Sequence, residues 1–193
     1  MARPNCREKI LDAAVQTLHE RGFNGCGVQD ITDAAGVPKG SFYNHFESKE
    51  VLGAEALDRF WQSSACGFLS ILSDESLTPL DRLRRYFESA GSALAGRDYA
   101  CGCLIGNLSV ELSDQSRLVR DRLASVFAGW TRSIEICLRD AQRAGQVRAD
   151  LDAGMLAGFL LNAWQGAVLR SRVEKDGGAF AAFQDIIFKT ITV

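Results

Sequence analysis

The fold of this chain is decided by residues 31–46, which read ITDAAGVPKGSFYNHF. Ile31, Ala34 and Ala35 have the spacing expected of residues on one face of a helix. Gly36 stands where that helix must stop and turn, a place that favours a residue free to adopt positive φ. A second, short helix follows. Two helices joined by a turn of three to four residues are typical of the DNA-binding helix-turn-helix, whose second helix lies in the major groove.

The second helix carries polar side chains with the right reach for phosphates and base edges. Ser41 and Asn44 are the better candidates for base edges, because an asparagine amide can pair with adenine in the major groove. Gly40 would allow a backbone to come close. Phe42 and Phe46 are predicted to anchor the helix in a core.

At these residues the chain resembles the TetR family of bacterial repressors, and the resemblance runs from about residue 10 to residue 52. There are two departures. Gly27 stands where the family usually has a helix-capping Thr, and Thr32 stands where Ala is frequent. Glycine is still a tolerable N-cap, so the resemblance holds. The matching segments are ILDAA at 10–14, ERGF at 20–23, AAGV at 34–37, GSFY at 40–43, HF at 45–46 and KEVL at 49–52.

The resemblance implies an all-α fold with two parts. Residues 1–47 are expected to form a three-helix helix-turn-helix domain, and residues 48–193 a helical domain for effector binding and dimerisation. The resemblance also implies that Tyr43, His45 and Lys49 contact backbone phosphates, which fix the register of a protein on DNA. The expected partner is double-stranded operator DNA.

Charge alone does not indicate DNA binding. The chain has a net charge of −2, and residues 1–52 hold six basic against seven acidic side chains. Any DNA footprint therefore depends on arrangement, with Arg3, Arg7, Lys39 and Lys49 predicted on one side.

A second motif, GCLIGN, occupies residues 102–107 and is followed by Glu111 and Asp114. It resembles the TetR subgroup that includes the N-ethylmaleimide-responsive and acrylate-responsive repressors. In the electrophile-sensing members the cysteine of this motif is reactive, and Cys103 is the matching residue. A thiol in the first turn of a helix is also favoured as thiolate, the form that attacks electrophiles. The alternative is that Cys103 packs as a small hydrophobe. Cys101 is the next sensor candidate.

An effector pocket is expected among the fourth to eighth helices, in the C-terminal part. Asn107 is its polar candidate, since one polar group among apolar neighbours can orient a small ligand. Aromatic residues at helical spacing are, however, more often ordinary core. The candidate wall residues are Trp61, Phe68, Phe87, Leu104, Trp130 and Trp164.

Residues 152–174 predict a helix that is apolar on more than one side, and such a helix must bury both faces. A second copy of the chain could cover the outer face, where Gly158 and Gly166 permit close approach. The resemblance likewise implies a homodimer built from the last two long helices. Two recognition helices would then lie about 34–36 Å apart, or a multiple, on a pseudo-palindromic operator. The alternative is a helix buried wholly within one large core.

Several classes of protein lack support in the sequence. There is no apolar run near 20 residues and no secretory h-region, so we expect a cytoplasmic protein without a membrane partner. The six cysteines form no disulfide framework, and no C-x-x-C or phosphate-binding loop is present. We therefore expect no cofactor, no metal and no enzyme activity. The leading hypothesis is a repressor released by a small molecule or electrophile; a thiol-dependent oxidoreductase and a constitutive DNA-binding protein are the alternatives.

Overall fold

The computed structural model describes residues 5–193, apart from the side chains of residues 64–66. Arg3, predicted in the DNA footprint, lies outside the described residues. Over the described part the fold is all-α, as predicted, with one isolated bridge between Val147 and Thr192. The helices are α1 (Cys6–Arg21), α2 (Val28–Ala34), α3 (Gly40–Tyr43), α4 (Lys49–Leu72), α5 (Pro79–Ala95), α6 (Leu104–Leu112), α7 (Arg117–Arg143), α8 (Ala153–Glu174) and α9 (Gly178–Ile191).

Side-chain oxygens cap two of the helices. Thr78 Oγ1 accepts the backbone N–H of Asp81 at 3.2 Å at the start of α5. Asp152 Oδ1 accepts that of Met155 at 2.8 Å at the start of α8. These bonds satisfy amides that have no partner within the helix.

The chain forms two compact units. One consists of the chain up to Ser63 together with Cys103–Ser125, and the other of Ser64–Gly102 together with Val126–Val193. The helix α6 and the start of α7 therefore belong to the unit that contains the helix-turn-helix. Compactness does not assign function, so the functional boundary after residue 47 stays a prediction.

The first unit is built around α1, which packs against α2, α3 and α6. Its apolar face is buried, with Ile10, Ala14 and Leu18 almost completely removed from solvent. Phe42 of α3 and Phe46 are buried as well, so both predicted anchors hold α3 in this core.

The buried face of α2 differs from the expected one. Ile31 is buried, but Ala34 is exposed and Thr32 is fully buried in its place. The Thr32 hydroxyl donates to the carbonyls of Val28 and Gln29, each at 3.0 Å. Because the hydroxyl is satisfied within its own helix, its burial carries little penalty. Gly36 has the predicted positive φ, 65°.

The second unit has an aromatic core between α5, α8 and α9. The rings of Trp164 and Phe180 stack at 4.8 Å between centroids, and those of Phe87 and Phe183 meet edge-on at 4.9 Å. The apolar side of α9 is buried here. None of the helices in the described residues is both long and apolar enough to cross a membrane.

Candidate DNA-binding and sensor sites

The helix α3 presents its polar side chains outward. Tyr43 is 62% exposed while its neighbour Phe42 is fully buried, and their rings contact edge-on at 5.1 Å. The buried ring fixes the short helix and leaves the opposite side open. Ser41 is half-buried, and the other predicted contact residues of this segment are exposed: Lys39, Asn44 and His45.

The start of α3 has room for a partner. Lys39 occupies the N-cap position, and a Cβ added at Gly40 would meet nothing within 4 Å. Nothing in the described chain occupies the space that Gly40 was predicted to leave for an approaching backbone. Contact of this surface with DNA stays a prediction.

Lys49, predicted to contact a phosphate, is held by its own chain. Its ammonium donates to the carbonyl oxygens of Phe23 and Cys26 and lies 4.1 Å from the centroid of the Phe23 ring. Charge-assisted hydrogen bonds and a cation–π contact thus join the start of α4 to the turn between α1 and α2. An ammonium has three N–H donors, so the two internal bonds do not prevent a bond to a phosphate. The phosphate contact of Lys49 stays a prediction.

Arg7, another residue of the predicted footprint, is also engaged internally. Its guanidinium donates to Glu55 of α4 and lies 5.0 Å from the centroid of the Phe46 ring. On the same pair of helices Arg59 bonds Glu8 and, at 3.0 Å, Asp12. These pairs fasten α1 to α4, the first long helix after the helix-turn-helix.

The turn between α1 and α2 is held from α6 as well. Glu111 Oε1 accepts the backbone N–H of Phe23 at 3.1 Å, and Oε2 accepts that of Asn24 at 2.7 Å. Gly22 ends α1 with φ 77°, and a Cβ there would lie 2.5 Å from Glu111 Oε1. The glycine therefore leaves the space that the carboxylate occupies. The sequence alone does not reveal this contact, since its partners are 87 and 88 residues apart in the chain.

The cysteines differ in burial. Cys103 is the N-cap of α6 rather than a first-turn residue, which corrects the predicted position by one residue, and its carbonyl accepts the N–H of Asn107 at 2.9 Å. Cys101 and Cys103 are half-buried. By contrast, burial raises the pKa of the Cys26 thiol and raises that of Cys137 to about 12. Those two thiols are held in the unreactive neutral form.

The predicted pocket residues are distributed between the units. Asn107 belongs to the first unit together with Trp61 and Leu104. The other candidates belong to the second unit: Phe68, Phe87, Trp130 and Trp164. Phe87 and Trp164 meet with ring centroids 5.3 Å apart in the aromatic core, and the buried Trp130 indole donates to the Tyr86 hydroxyl. These three residues serve the core. Phe68 is half-buried.

A groove of about 760 Å³ runs between α5 and α9 within the second unit. Its volume is in the roughly 300–1,000 Å³ range of small-molecule sites. Phe87 is the predicted effector residue that lines it, so the groove differs from the pocket expected among the fourth to eighth helices. The groove also contains Arg84, Glu88, Tyr99, Phe180, Phe188 and Lys189.

The helix α8 is apolar on two sides, as the sequence indicates. One side carries Leu160 and Trp164 into the core. The other leaves large apolar side chains in solvent, and Ile186 of α9 is exposed too. A Cβ added at Gly166 would meet nothing within 4 Å. We call this outer side the α8 apolar stripe: Met155, Phe159, Leu169 and Val173.

Comparison with known proteins gives two family matches. Residues 10–56 match the tetR family of bacterial regulatory proteins, and residues 79–187 match the tetracyclin repressor-like C-terminal domain. The HTH-type transcriptional repressor DhaR of Mycobacterium sp. is 42% identical over 99% of this chain and 94% of its own length.

Solved structures agree with these matches. The regulatory protein TetR from Rhodobacter sphaeroides superposes with a TM-score of 0.90 at 32% identity, covering 95% of this chain and 97% of that one. The reduced form of E. coli NemR gives 0.86 at 26%, covering 97% and 98%. NemR is an HTH-type transcriptional repressor. The similarity of both sequence and structure to NemR confirms the resemblance to the NemR-like subgroup of the family. The chain belongs to the TetR family of transcriptional repressors and is not an enzyme.

Proposed function

We propose that this repressor is a cytoplasmic homodimer, that it leaves its operator when an electrophile reacts with Cys103, and that residues 48–193 act as its sensing and dimerisation part. The observation that carries the proposal is the placement of Cys103. Cys103 occupies the N-cap position of α6 and is half-buried, whereas Cys26 and Cys137 are buried with their thiols kept neutral.

The exposed side of α3 supports the DNA-binding half of the proposal. Tyr43 and His45 bind phosphates and fix register, while Ser41 and Asn44 reach base edges. Lys39, at the exposed N-cap, adds positive charge where the duplex backbone passes. In a homodimer two such helices read the two halves of a pseudo-palindrome.

The sensing half uses ordinary thiol chemistry. The Cys103 thiolate adds to one carbon of the maleimide double bond, so that an S–C bond forms, the π bond breaks and the other carbon takes a proton from water. The reaction starts from the thiolate, which is the nucleophilic form of a cysteine. The adduct adds bulk where Gly102 and Leu104, the residues on either side, are both buried, and it must displace its surroundings.

The experiment combines mass spectrometry with operator release. Protein on operator DNA is treated with N-ethylmaleimide, and the adduct on each cysteine is measured beside the fraction of DNA released. Cys103 should react before the other cysteines, with release following its modification. Cys103→Ser should bind the operator and stay bound, while the control Cys101→Ser should respond as wild type does.

Three other outcomes would contradict the proposal. If Cys103→Ser releases DNA as readily as wild type, the sensing thiol lies elsewhere and the proposal fails. If no cysteine matters but small organic molecules release DNA, an effector binds reversibly; the groove between α5 and α9 and the predicted residues Asn107 and Phe68 are then the places to examine. A protein that no molecule releases is a constitutive repressor.

A further inference from the structure

We propose that Glu111 is a positioning residue for operator binding, through which α6 holds the helix-turn-helix in its DNA-binding arrangement. The carboxylate accepts two successive backbone amides, those of Phe23 and Asn24, at 3.1 and 2.7 Å. Hydrogen bonds to a charged acceptor are about twice as strong as neutral ones. The two bonds define both the distance and the orientation of the turn relative to α6.

The local backbone is built to receive this carboxylate. Gly22 has φ 77°, and a Cβ there would lie 2.5 Å from Glu111 Oε1. Any other residue at this position would strain the backbone and push the carboxylate out. The contact therefore depends on both residues, because Gly22 leaves the space and Glu111 fills it.

The same turn is fixed to α4. Phe23 donates its N–H to Glu111, while its carbonyl and its ring engage Lys49. Gly53 of α4 leaves room for that ring, since a Cβ there would lie 3.2 Å from Phe23 Cε2. Phe23 is thus the residue at which α6 and α4 both bind the α1–α2 turn. A change in the position of α6 reaches the helix-turn-helix through this residue.

The other end of α6 is the candidate sensor. Cys103 and Glu111 are eight residues apart, about 12 Å along a helix axis, with Asn107 between them at i+4 from each. These three positions follow one side of α6. A short helix moves as a rigid body, so displacement at the cap moves the carboxylate too. This step rests on the proposed function of Cys103.

The test compares operator DNA with scrambled DNA of equal length for Glu111→Gln. The variant removes a negative charge, and long-range electrostatics alone would then strengthen binding to any DNA. Positioning predicts the opposite sign for the operator: affinity falls by roughly tenfold to a hundredfold, since DNA must reimpose an arrangement that charge-assisted hydrogen bonds no longer hold. Affinity for scrambled DNA should be unchanged or slightly higher, so the specificity ratio falls.

Two further variants control for charge and folding. Asp114→Asn removes the same charge from an exposed residue three positions on, and it should leave the specificity ratio unchanged. Glu111→Asp keeps the charge but is too short to reach both amides, and it should lower the ratio without a charge change. Amide exchange at Phe23 and Asn24 should quicken in both Glu111 variants. The proposal would be overturned if both Glu111 variants had the specificity ratio of wild type. It would also be overturned if affinity for operator and for scrambled DNA fell equally, because that result indicates unfolding.

The link to sensing is tested with N-ethylmaleimide. For each protein the operator affinity is measured before and after modification, and the ratio of the two gives the loss caused by modification. This loss should be smaller for Glu111→Gln than for wild type, with a ratio close to one. An equal loss in both proteins would show that the signal bypasses Glu111. If wild type does not respond at all, the proposed sensing fails, while the specificity ratio still decides the positioning role.

Discussion

Leu169, on the α8 apolar stripe, allows dimerisation to be tested at a magnitude worked from the structure. Its side chain is 67% exposed in the protomer. Burying a whole leucine side chain is worth about 1.5–3 kcal/mol, so covering two-thirds of one is worth roughly 1–2 kcal/mol. A two-fold interface contains each position twice, which gives roughly 2–4 kcal/mol per dimer. Leu169→Ala should therefore raise the dimer dissociation constant by roughly 30-fold to several hundredfold.

Sedimentation over a range of concentrations measures that constant. Leu118→Ala is the matched control, because Leu118 is also an exposed leucine, at 43%, but lies on α7 in the other unit. It should leave the constant unchanged. Gly166→Glu should be more severe: nothing in the protomer blocks the new side chain, yet dimerisation would bury its charge. A wild-type monomer at micromolar concentration, or equal constants for Leu169→Ala and wild type, would refute the reasoning.

Three further predictions follow from single residues. Tyr43→Ala should weaken operator binding without changing the melting temperature, because the side chain is mostly exposed; unchanged binding would remove α3 from the interface. Lys49→Ala should lower the melting temperature, because its bonds to Phe23 and Cys26 are lost. If the slope of log operator affinity against log salt concentration also becomes shallower by about one, Lys49 contacts a phosphate as well. Cys137 should resist N-ethylmaleimide at pH 8. Because burial raises its pKa from 9.0 to about 12, stability should fall as pH rises from 9 toward 12, and melting of Cys137→Ala should lack that component.

The features that local chemistry controls were predictable from the sequence. Helical periodicity indicates an all-α chain, and Thr78 and Asp152, two residue types that favour helix N-caps, do cap α5 and α8. Gly36 has the positive φ that its turn requires. The buried and exposed sides of α3 also follow from residue type, with Phe42 inside and Tyr43 outside. The two-sided apolar pattern of α8 was visible for the same reason: periodicity is a property of a short segment.

Features that depend on distant partners were not predictable. Lys49 has the residue type and position of a phosphate ligand, but its ammonium also bonds carbonyls 26 and 23 residues earlier in the chain. The expectation for Ala34 failed because α2 buries Thr32 instead, and a threonine with a self-satisfied hydroxyl packs as an apolar residue would. Aromatic residues line ligand pockets and fill cores alike, so residue type does not assign Phe87, Trp130 and Trp164 to either. Tertiary packing decides between the two.

The placement of α6 changes what a sensing mechanism requires. The functional boundary after residue 47 stays a prediction, and it places Cys103 in the sensing part of the chain. In the structure α6 belongs to the unit that contains the helix-turn-helix, and its carboxylate at Glu111 already bonds the α1–α2 turn. A cap residue on a nine-residue helix can then act on the DNA-binding elements through one rigid element. The coupling free energy available is limited by what that contact contributes. One hydrogen bond to a charged group is worth about 1.5–3 kcal/mol, so either of the two bonds alone corresponds to roughly tenfold to a hundredfold in operator affinity.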